Sequence, residues 1–566
     1  MKLDAEKTLT QEMTGGNVLV SSLKQQGVTH LFGYPGGSVL SLFDAMYDQQ
    51  FNCILVRHEQ GAAHAAEGYA KVTGKTGVLC VTSGPGASNA VTGIADAMMD
   101  SVPMVVFTGQ VGRRVIGSEA FQELNTIGVT KPIVKANFQI QDVNRLQATI
   151  AEAFALAQAG RKGPVLIDVP KDILDETTSF EAEAPKQAVP KQANFPTKVL
   201  EAAMQALSQA KRPIALVGAG VSAALATKEF NEFIHNWQLP VVSTLLGLGT
   251  VSNQDPLFLG MGGMHGTYAA NMALANTDFI VNIGSRFDDR LIPKPDHYTD
   301  DKTILHIDID PKELNKTLVT EFAINADAKV ALTAMNKVVT VKPDTAAWKQ
   351  TTRMWAQTKP ESVKKTQTKQ GFDPLTVIRS VGKITRGRAT VVTDVGQHQM
   401  WVAQAYPFTH SKQLVTSGGL GTMGYGLPAA IGAKFAHPER ETVLFVGDGG
   451  FQMTSEELEV IAAENLNIKI FLMNNHALGM IRQWQDQFYD QHRYKSLFEH
   501  QPDFSTLMRA YGLNYQKLAP DGDLDQQLQA IFADQQTTLI EVTIPTDEQV
   551  YPMVAPGHAN NDMFGV

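Results

Sequence analysis

The chain is poor in cysteine, with only Cys53 and Cys80 among its 566 residues. Both stand in apolar stretches, FNCILV and GVLCVTSG, so buried thiols are expected rather than a disulfide framework. No uninterrupted apolar run is long enough to cross a bilayer, and the opening MKLDAEKTLTQEMTGG has no apolar signal-peptide core. A cytoplasmic protein without a membrane partner is the expectation. Dense Lys/Arg runs are also missing. Forty-eight basic residues face 57 acidic ones, a formal net charge of -9, so nothing is there to neutralise a row of phosphates and nucleic acid is not an expected partner. The apolar fraction of 43% excludes a disordered chain.

At roughly 150 residues per domain the length suggests three or four domains. Between Thr177 and Thr197 the run TTSFEAEAPKQAVPKQANFPT is small, polar and interrupted by three prolines, which reads as a linker. A second such stretch spans Val341 to Pro374, although Trp348 and Trp355 indicate that it packs on something. The expected division is an N-terminal domain over 14–176, a central one over 197–340, a C-terminal one over 374–550 and a tail over 551–566. Within each block short apolar runs alternate with helical patterns: CILVRHE, AAHAAEGYAKVTG and GVLCVTSGPG in the first, RPIALVGAG and DFIVNIGSRF in the second, ETVLFVGDGG and IKIFLMNN in the third. Such alternation predicts three consecutive α/β domains with mainly parallel sheets. Thr82-Ser83-Gly84 and Thr416-Ser417-Gly418 form an internal echo between the outer blocks. It is short enough to arise by chance, yet duplicated domains would leave such a trace.

In open parallel sheets ligands sit at the carboxyl ends of strands. The run TVLFVGDGG ends in Gly447-Asp448-Gly449-Gly450, and IKIFLMNN ends in Asn474-Asn475. Asp448 and Asn475 are 27 positions apart, about one strand–helix–strand excursion, so both side chains can emerge at one sheet edge. They then offer hard oxygen ligands suited to Mg2+. Gly447 and Gly449 let backbone N–H groups approach phosphate, and a helix beginning near Thr454 is expected to point its positive end there. Either motif alone is more often a plain turn or strand end; together, at this spacing, they favour a metal and diphosphate site. The pair resembles the GDG and NN signature of thiamine-diphosphate enzymes. That resemblance implies that Asp448, Asn475 and the backbone carbonyl of Ala477 hold Mg2+.

Glu59 lies where an apolar strand meets the small-residue helix of CILVRHEQGAAHAAEGYA. A carboxyl enclosed there is a candidate acid–base group, though a helix-start carboxylate near the macrodipole is the commoner setting for Glu and position alone does not exclude it.

GYPGG, RHEQGAA, TSGPGASN, IGSEAFQE, GPVLIDVPKD, GMHGTYAAN, RFDDR, DVGQHQMW, GTMGYGLPAAIGA, GDGGFQMT and MNNHALGMIRQWQ follow one another in this order. From about Gly15 to Asp562 the chain thereby resembles the catalytic large subunit of biosynthetic, FAD-containing acetohydroxyacid synthases, also called acetolactate synthases. The resemblance implies thiamine diphosphate, Mg2+ and FAD as cofactors, and decarboxylation of pyruvate with ligation of the two-carbon unit to a second pyruvate or to 2-ketobutyrate. It implies that Glu59 activates the cofactor across a subunit boundary of a homodimer or homotetramer, and it leaves open a small regulatory subunit. Gly37 would donate a backbone N–H, Phe121 would shape the pocket, and Gln122 and Lys171 would position substrate. Val395, Gly396, Gln397, His398, Gly421 and Met423 would contact the cofactor. Arg290, Trp484 and Met480 would form the second-substrate pocket. Arg161, Gly218, Ala219, Gly220, Thr244, Leu245, Met264, His265, Arg286, Asp288 and Asp308 would contact FAD.

Plainer readings stand beside these. Lys171 as a lone lysine is usually a solvated cation, Met423 serves equally as core filler, an indole such as Trp484 is more often core, and GAG is a weak dinucleotide signal. The family commonly has Pro after GQV where this chain has Gly112, which suggests a more flexible loop. The rival activities are a flavin-dependent pyruvate oxidase, a catabolic acetolactate synthase and a non-catalytic paralogue.

Overall fold

The computed structural model describes residues 10–182, 195–339, 341–358 and 371–566. Three six-stranded sheets, every strand pair parallel, form its framework. Their central strands read as continuous apolar runs because both faces are covered. Thus Met104–Gln110 and Ile468–Asn474 are buried at every position.

The first sheet runs in the spatial order Asn52–Leu55, His30–Gly33, Gly77–Val81, Met104–Gln110, Pro164–Pro170, Ala136–Gln139. The third runs Leu414–Val415, Thr390–Thr393, Thr442–Gly447, Ile468–Asn474, Thr538–Thr543, Asn514–Lys517. Numbered within each sheet, both orders are 2-1-3-4-6-5, so the echo between the outer blocks extends to their topology. The second sheet differs. Phe258–Met261, Val241–Ser243, Pro213–Val217, Phe279–Ile283, Thr303–Asp308 and Phe322–Asn325 follow the order 3-2-1-4-5-6 of doubly wound dinucleotide folds.

The described residues fall into two compact units. The first contains the chain up to residue 182, with 417–438 and 453–466; the second contains 195–416, 439–452 and 467–566. In the first unit the helix Glu59–Thr73 packs on the helix Gly426–Ala436 at very close range. A Cβ on Gly432 would collide with the carbonyl of Ala65, and one on Gly68 with that of Ala429. The Ala/Gly composition of both helices is what permits this approach, and it anchors the helix that Glu59 begins.

Two linker expectations change. Thr177–Glu181 is a strand paired antiparallel with Thr10–Thr14, since alternate residues are buried; 183–194 lie outside the described residues. Ala346–Gln357 is a helix in the second stretch. Its Trp348 indole donates to the Pro213 carbonyl at 3.0 Å and meets Trp355 edge to face, so the tryptophans supply the packing face that the polar composition hid. No helix among the described residues is long and apolar enough to cross a membrane.

Candidate active site

In the third sheet the strand order reverses between Thr390–Thr393 and Thr442–Gly447, and the segment Asp394–His398 and residue Asp448 follow those two strands directly. Asp448 is 1% exposed. A short helix, Asp448–Met453, starts at Asp448 itself, and the helical stretch expected near Thr454 follows it, as Ser455–Glu457 running into Leu458–Ala463. Gly450 lets that first turn lie against Asp394, whose carboxylate a Cβ would strike. Asp448 Oδ1 accepts from the Gly449 N–H at 3.1 Å and Oδ2 from Gln501 Nε2 at 2.5 Å. Burial pushes the Asp448 carboxyl up to about 7, against the opposing pull of these donors. A buried acid so placed is suited to a cation.

Asn475, also buried, completes the donor set. Its Nδ2 donates to Gln397 Oε1 at 3.1 Å, and Oδ1 accepts from the Ala477 N–H at 3.2 Å. Gln397 is itself fixed, donating to Gln483 Oε1 and the Glu548 carbonyl, both at 2.9 Å. His398 lies beside Gly396 and Gly447, its buried Nε2 without a hydrogen-bond partner among the described residues. Burial lowers its pKa to about 4, so the ring is neutral and has polar capacity for a ligand. Oxygen donors from Asp448 and Asn475, with glycine and a neutral imidazole alongside, fit a magnesium diphosphate. Val395 is half-buried between these groups in sequence.

Elsewhere in the second unit, the Arg290 guanidinium lies over the Trp484 ring, 5.9 Å from its centroid, and its Nη1 is 3.2 Å from Met264 Sδ. Trp484 meets Phe488 edge to face, and its buried indole N–H has no hydrogen-bond partner among the described residues. Met480 is packed against the core of the third sheet. At the carboxyl edge of the second sheet, Gly218–Gly220, Thr244 and Leu245, Met264 and His265, Arg286, Asp288 and Asp308 end or follow five strands. Gly218 and Gly220 permit close approach to Gly284 across the switch point, which alone explains GAG as a packing device. Arg161 belongs to the first unit, where its guanidinium donates to Ser101 Oγ and the Met98 carbonyl.

Glu59 is half-buried, not enclosed, at the start of its helix; Oε2 accepts from Asn89 Nδ2 at 2.9 Å. Gly37 is exposed with open space on its Cβ side, in the loop after His30–Gly33. Ser38 Oγ ties that loop to Thr82 at 2.9 Å and to the Ser83 N–H at 3.0 Å. Gln122 packs against Gly84 in a left-handed conformation. The first sheet's switch point thus gathers the Gly37 loop, the Thr82–Gly86 turn, Gln122 and Glu59, since Glu59 Oε1 lies against Gly86. Phe121, by contrast, is 88% exposed, and Lys171 is exposed at the first position of Lys171–Asp175. Gly421 is exposed in a left-handed conformation, its N–H on Ser417 Oγ, and Met423 is half-buried nearby in sequence. Gly112 adopts φ -57, a value open to proline, and Arg113 pairs with Asp172 and Glu176; the expected looseness of that loop is not what its contacts describe.

A second acidic group competes for attention as a metal site. His64, Glu67 and Asp96 are buried with ligand atoms within 4.8 Å of one another. Here an ammonium already supplies positive charge: Lys71 Nζ is 2.8 Å from Glu67 and 2.7 Å from Asp100. Burial and the Glu67 charge push Asp96 up to about 7. Its folded pKa exceeds that of an unfolded aspartate, so the folded state binds more protons and stability falls as pH rises from about 4 to 7. Asp96→Asn lacks this loss, and its melting temperature relative to the parent should rise between pH 5 and pH 8. A constant difference across paired melts would refute the shift.

Gln501, Gln483 and Asn89 escaped the reading of the sequence. Asn89 and Gln483 stand within TSGPGASN and MNNHALGMIRQWQ without any feature that singles them out, and Gln501 stands outside every motif, so only the folded partners reveal them.

Family comparisons agree with this geometry. The chain matches the family described as thiamine pyrophosphate enzyme, N-terminal TPP binding domain, over residues 13–129, its central domain over 200–335 and its C-terminal TPP binding domain over 394–542. It is 46% identical over 564 residues to the acetolactate synthase large subunit of Lactococcus lactis, covering 99% of this chain and 97% of that one. The chain belongs to the acetolactate synthase family. The Escherichia coli acetolactate synthase isozyme 2 large subunit is 40% identical, with 98% of this chain and 99% of that one covered. The large subunit of Cyanidium caldarium is also 40% identical, covering 98% and 97%. Acetolactate synthases thus share this chain's sequence over nearly its whole length.

Proposed function

We propose that the chain catalyses the acetolactate synthase reaction: decarboxylation of pyruvate and ligation of the two-carbon unit to a second pyruvate or to 2-ketobutyrate, opening branched-chain amino-acid synthesis. The observation that carries it is the buried Asp448 and Asn475 pair at the third sheet's switch point. Asp448, Asn475 and the Ala477 carbonyl would hold Mg2+, and Gly447, Gly449 and the Val395–His398 segment would receive the diphosphate. When bound, thiamine diphosphate supplies the electron sink for 2-keto acid decarboxylation. Glu59 holds or returns a proton at N1′ of its aminopyrimidine, serving a site shared with a second copy of the chain in a homodimer or homotetramer. Gly37, Gln122, Lys171 and Phe121 line the substrate's approach, with Gly421 and Met423 on the cofactor. The 3-2-1-4-5-6 order of the second sheet supports FAD at its carboxyl edge, and the family resemblance adds Arg161 as a further proposed contact. We assign domains to 14–176, 197–340 and 374–550 with a tail over 551–566, and a cytoplasmic location consistent with two free thiols. The relatives' designation as large subunits makes a small regulatory subunit a further proposed partner.

Incubating the purified protein with pyruvate tests this directly: acid treatment should yield acetoin only when thiamine diphosphate and Mg2+ are present. Carbon dioxide without acetoin would contradict ligation.

Arg290 over Trp484 offers a cation to a carboxylate beside an apolar wall for an ethyl group. Trp484→Leu should therefore reduce selectivity for 2-ketobutyrate over pyruvate as acceptor. One methylene contact is worth only about 1–3 kcal/mol, so the loss is at most about 10–200-fold. Product ratios in competition measure it, and unchanged ratios would remove Trp484 from the pocket.

A further inference from the structure

Gln501 lies 53 positions beyond Asp448 and joins two groups at the third sheet's carboxyl edge. Its Nε2 donates to Asp448 Oδ2 at 2.5 Å, while its Oε1 accepts from Asn474 Nδ2 at 3.1 Å. An amide offers one donor end and one acceptor end, so the contact with Asn474 decides which end faces Asp448. Asn474 is buried and fixed in turn. Its Nδ2 also reaches Glu541 Oε1 at 3.3 Å, and its Oδ1 accepts from the His476 N–H at 3.3 Å. Glu541 accepts from Tyr515 OH at 2.7 Å and from Lys517 Nζ at 3.0 Å. The two consecutive asparagines therefore serve different ends: Asn475 turns to Gln397, and Asn474 turns to Gln501.

We propose that Gln501 is a positioning residue for the metal site, held by Asn474 so that its amide N–H fixes the Asp448 carboxylate in one rotamer. The inference rests on the reading of Asp448 as a ligand of Mg2+. With Gly449 N–H on Oδ1 and Gln501 on Oδ2, each carboxylate oxygen keeps lone-pair capacity in a set direction. Partners of this kind orient ligands already in place, and losing one typically weakens metal binding about 10–100-fold. Gln501→Met keeps the length of the side chain and deletes the donor.

Calorimetric titration of Mg2+ into protein saturated with thiamine diphosphate reads the effect without turnover. Gln501→Met should raise the apparent Kd about 10–100-fold. The melting temperature of the metal-free protein should stay unchanged. Adding Asn474→Ala to it should cost little more, because both residues act through one contact chain. If Gln501→Met fails to fold, Gln501→Asn, too short to span both partners, carries the same expectation. Wild-type affinity in the Gln501 variant, with affinity lost in Asp448→Ala, would overturn the inference alone. Wild-type affinity in both would overturn the reading of Asp448, and the inference with it. A fall in metal-free melting temperature matching the loss of affinity would make Gln501 structural and overturn its positioning role.

Discussion

Asp448→Ala is expected to abolish metal-dependent retention of thiamine diphosphate. The buried carboxylate is the single anionic donor of the proposed set, opposite the neutral amide of Asn475 and the Ala477 carbonyl. A diphosphate brought to this sheet edge needs a cation between its own charge and Asp448. One charge-assisted contact is worth about 1.5–3 kcal/mol, and each 1.4 kcal/mol is tenfold, so a loss of about 10–100-fold is the least expected. Removing a buried acid whose ionised form burial disfavours should not destabilise the metal-free protein to the same degree, which separates lost affinity from lost fold. Calorimetry with and without Mg2+ measures both arms. Cofactor affinity that is unchanged in the variant, and still raised by Mg2+, would count against the site.

Glu59→Gln should leave the fold and cofactor binding nearly intact while slowing proton removal from the cofactor's thiazolium C2 by about 10²–10⁴-fold. An amide has the size of the carboxyl and can still donate a hydrogen bond to N1′, and its oxygen can still accept from Asn89. What it cannot do is exchange a proton with the ring. A helix-start carboxylate without that role would give a small stability change and ordinary exchange. Exchange of the bound cofactor's C2 proton into deuterium oxide, followed after acid quench, decides between them; exchange as fast as in the parent would remove Glu59 from the mechanism.

The strands were legible because a parallel strand buried on both faces must be an unbroken apolar run, as in TVLFVG and IKIFLMN. Asp448 and Asn475 were legible for the same reason, since each follows such a run. Strand order was not, because it depends on pairings between distant segments; the common 2-1-3-4-6-5 order of the outer sheets left only the Thr-Ser-Gly echo behind. The start of the helix at Asp448 was missed because its glycines made GDGG read as a turn, whereas the missing side chain of Gly450 is what lets the helix lie against Asp394. Ala346–Gln357 was hidden by its glutamines, threonines, Lys349 and Arg353, with Trp348 as the visible clue. Gln501 carries no local signal at all. A glutamine after a polar loop becomes meaningful only when folding brings it to Asp448.

Anaerobic incubation of the purified protein with carbon-13 pyruvate, thiamine diphosphate, Mg2+ and FAD, followed by NMR, tests the assignment of carboligation most directly. Labelled acetolactate should accumulate with carbon dioxide and without any electron acceptor, because ligation involves no net redox change. Acetate or acetyl phosphate formed only when an electron acceptor is supplied, with no acetolactate, would contradict it.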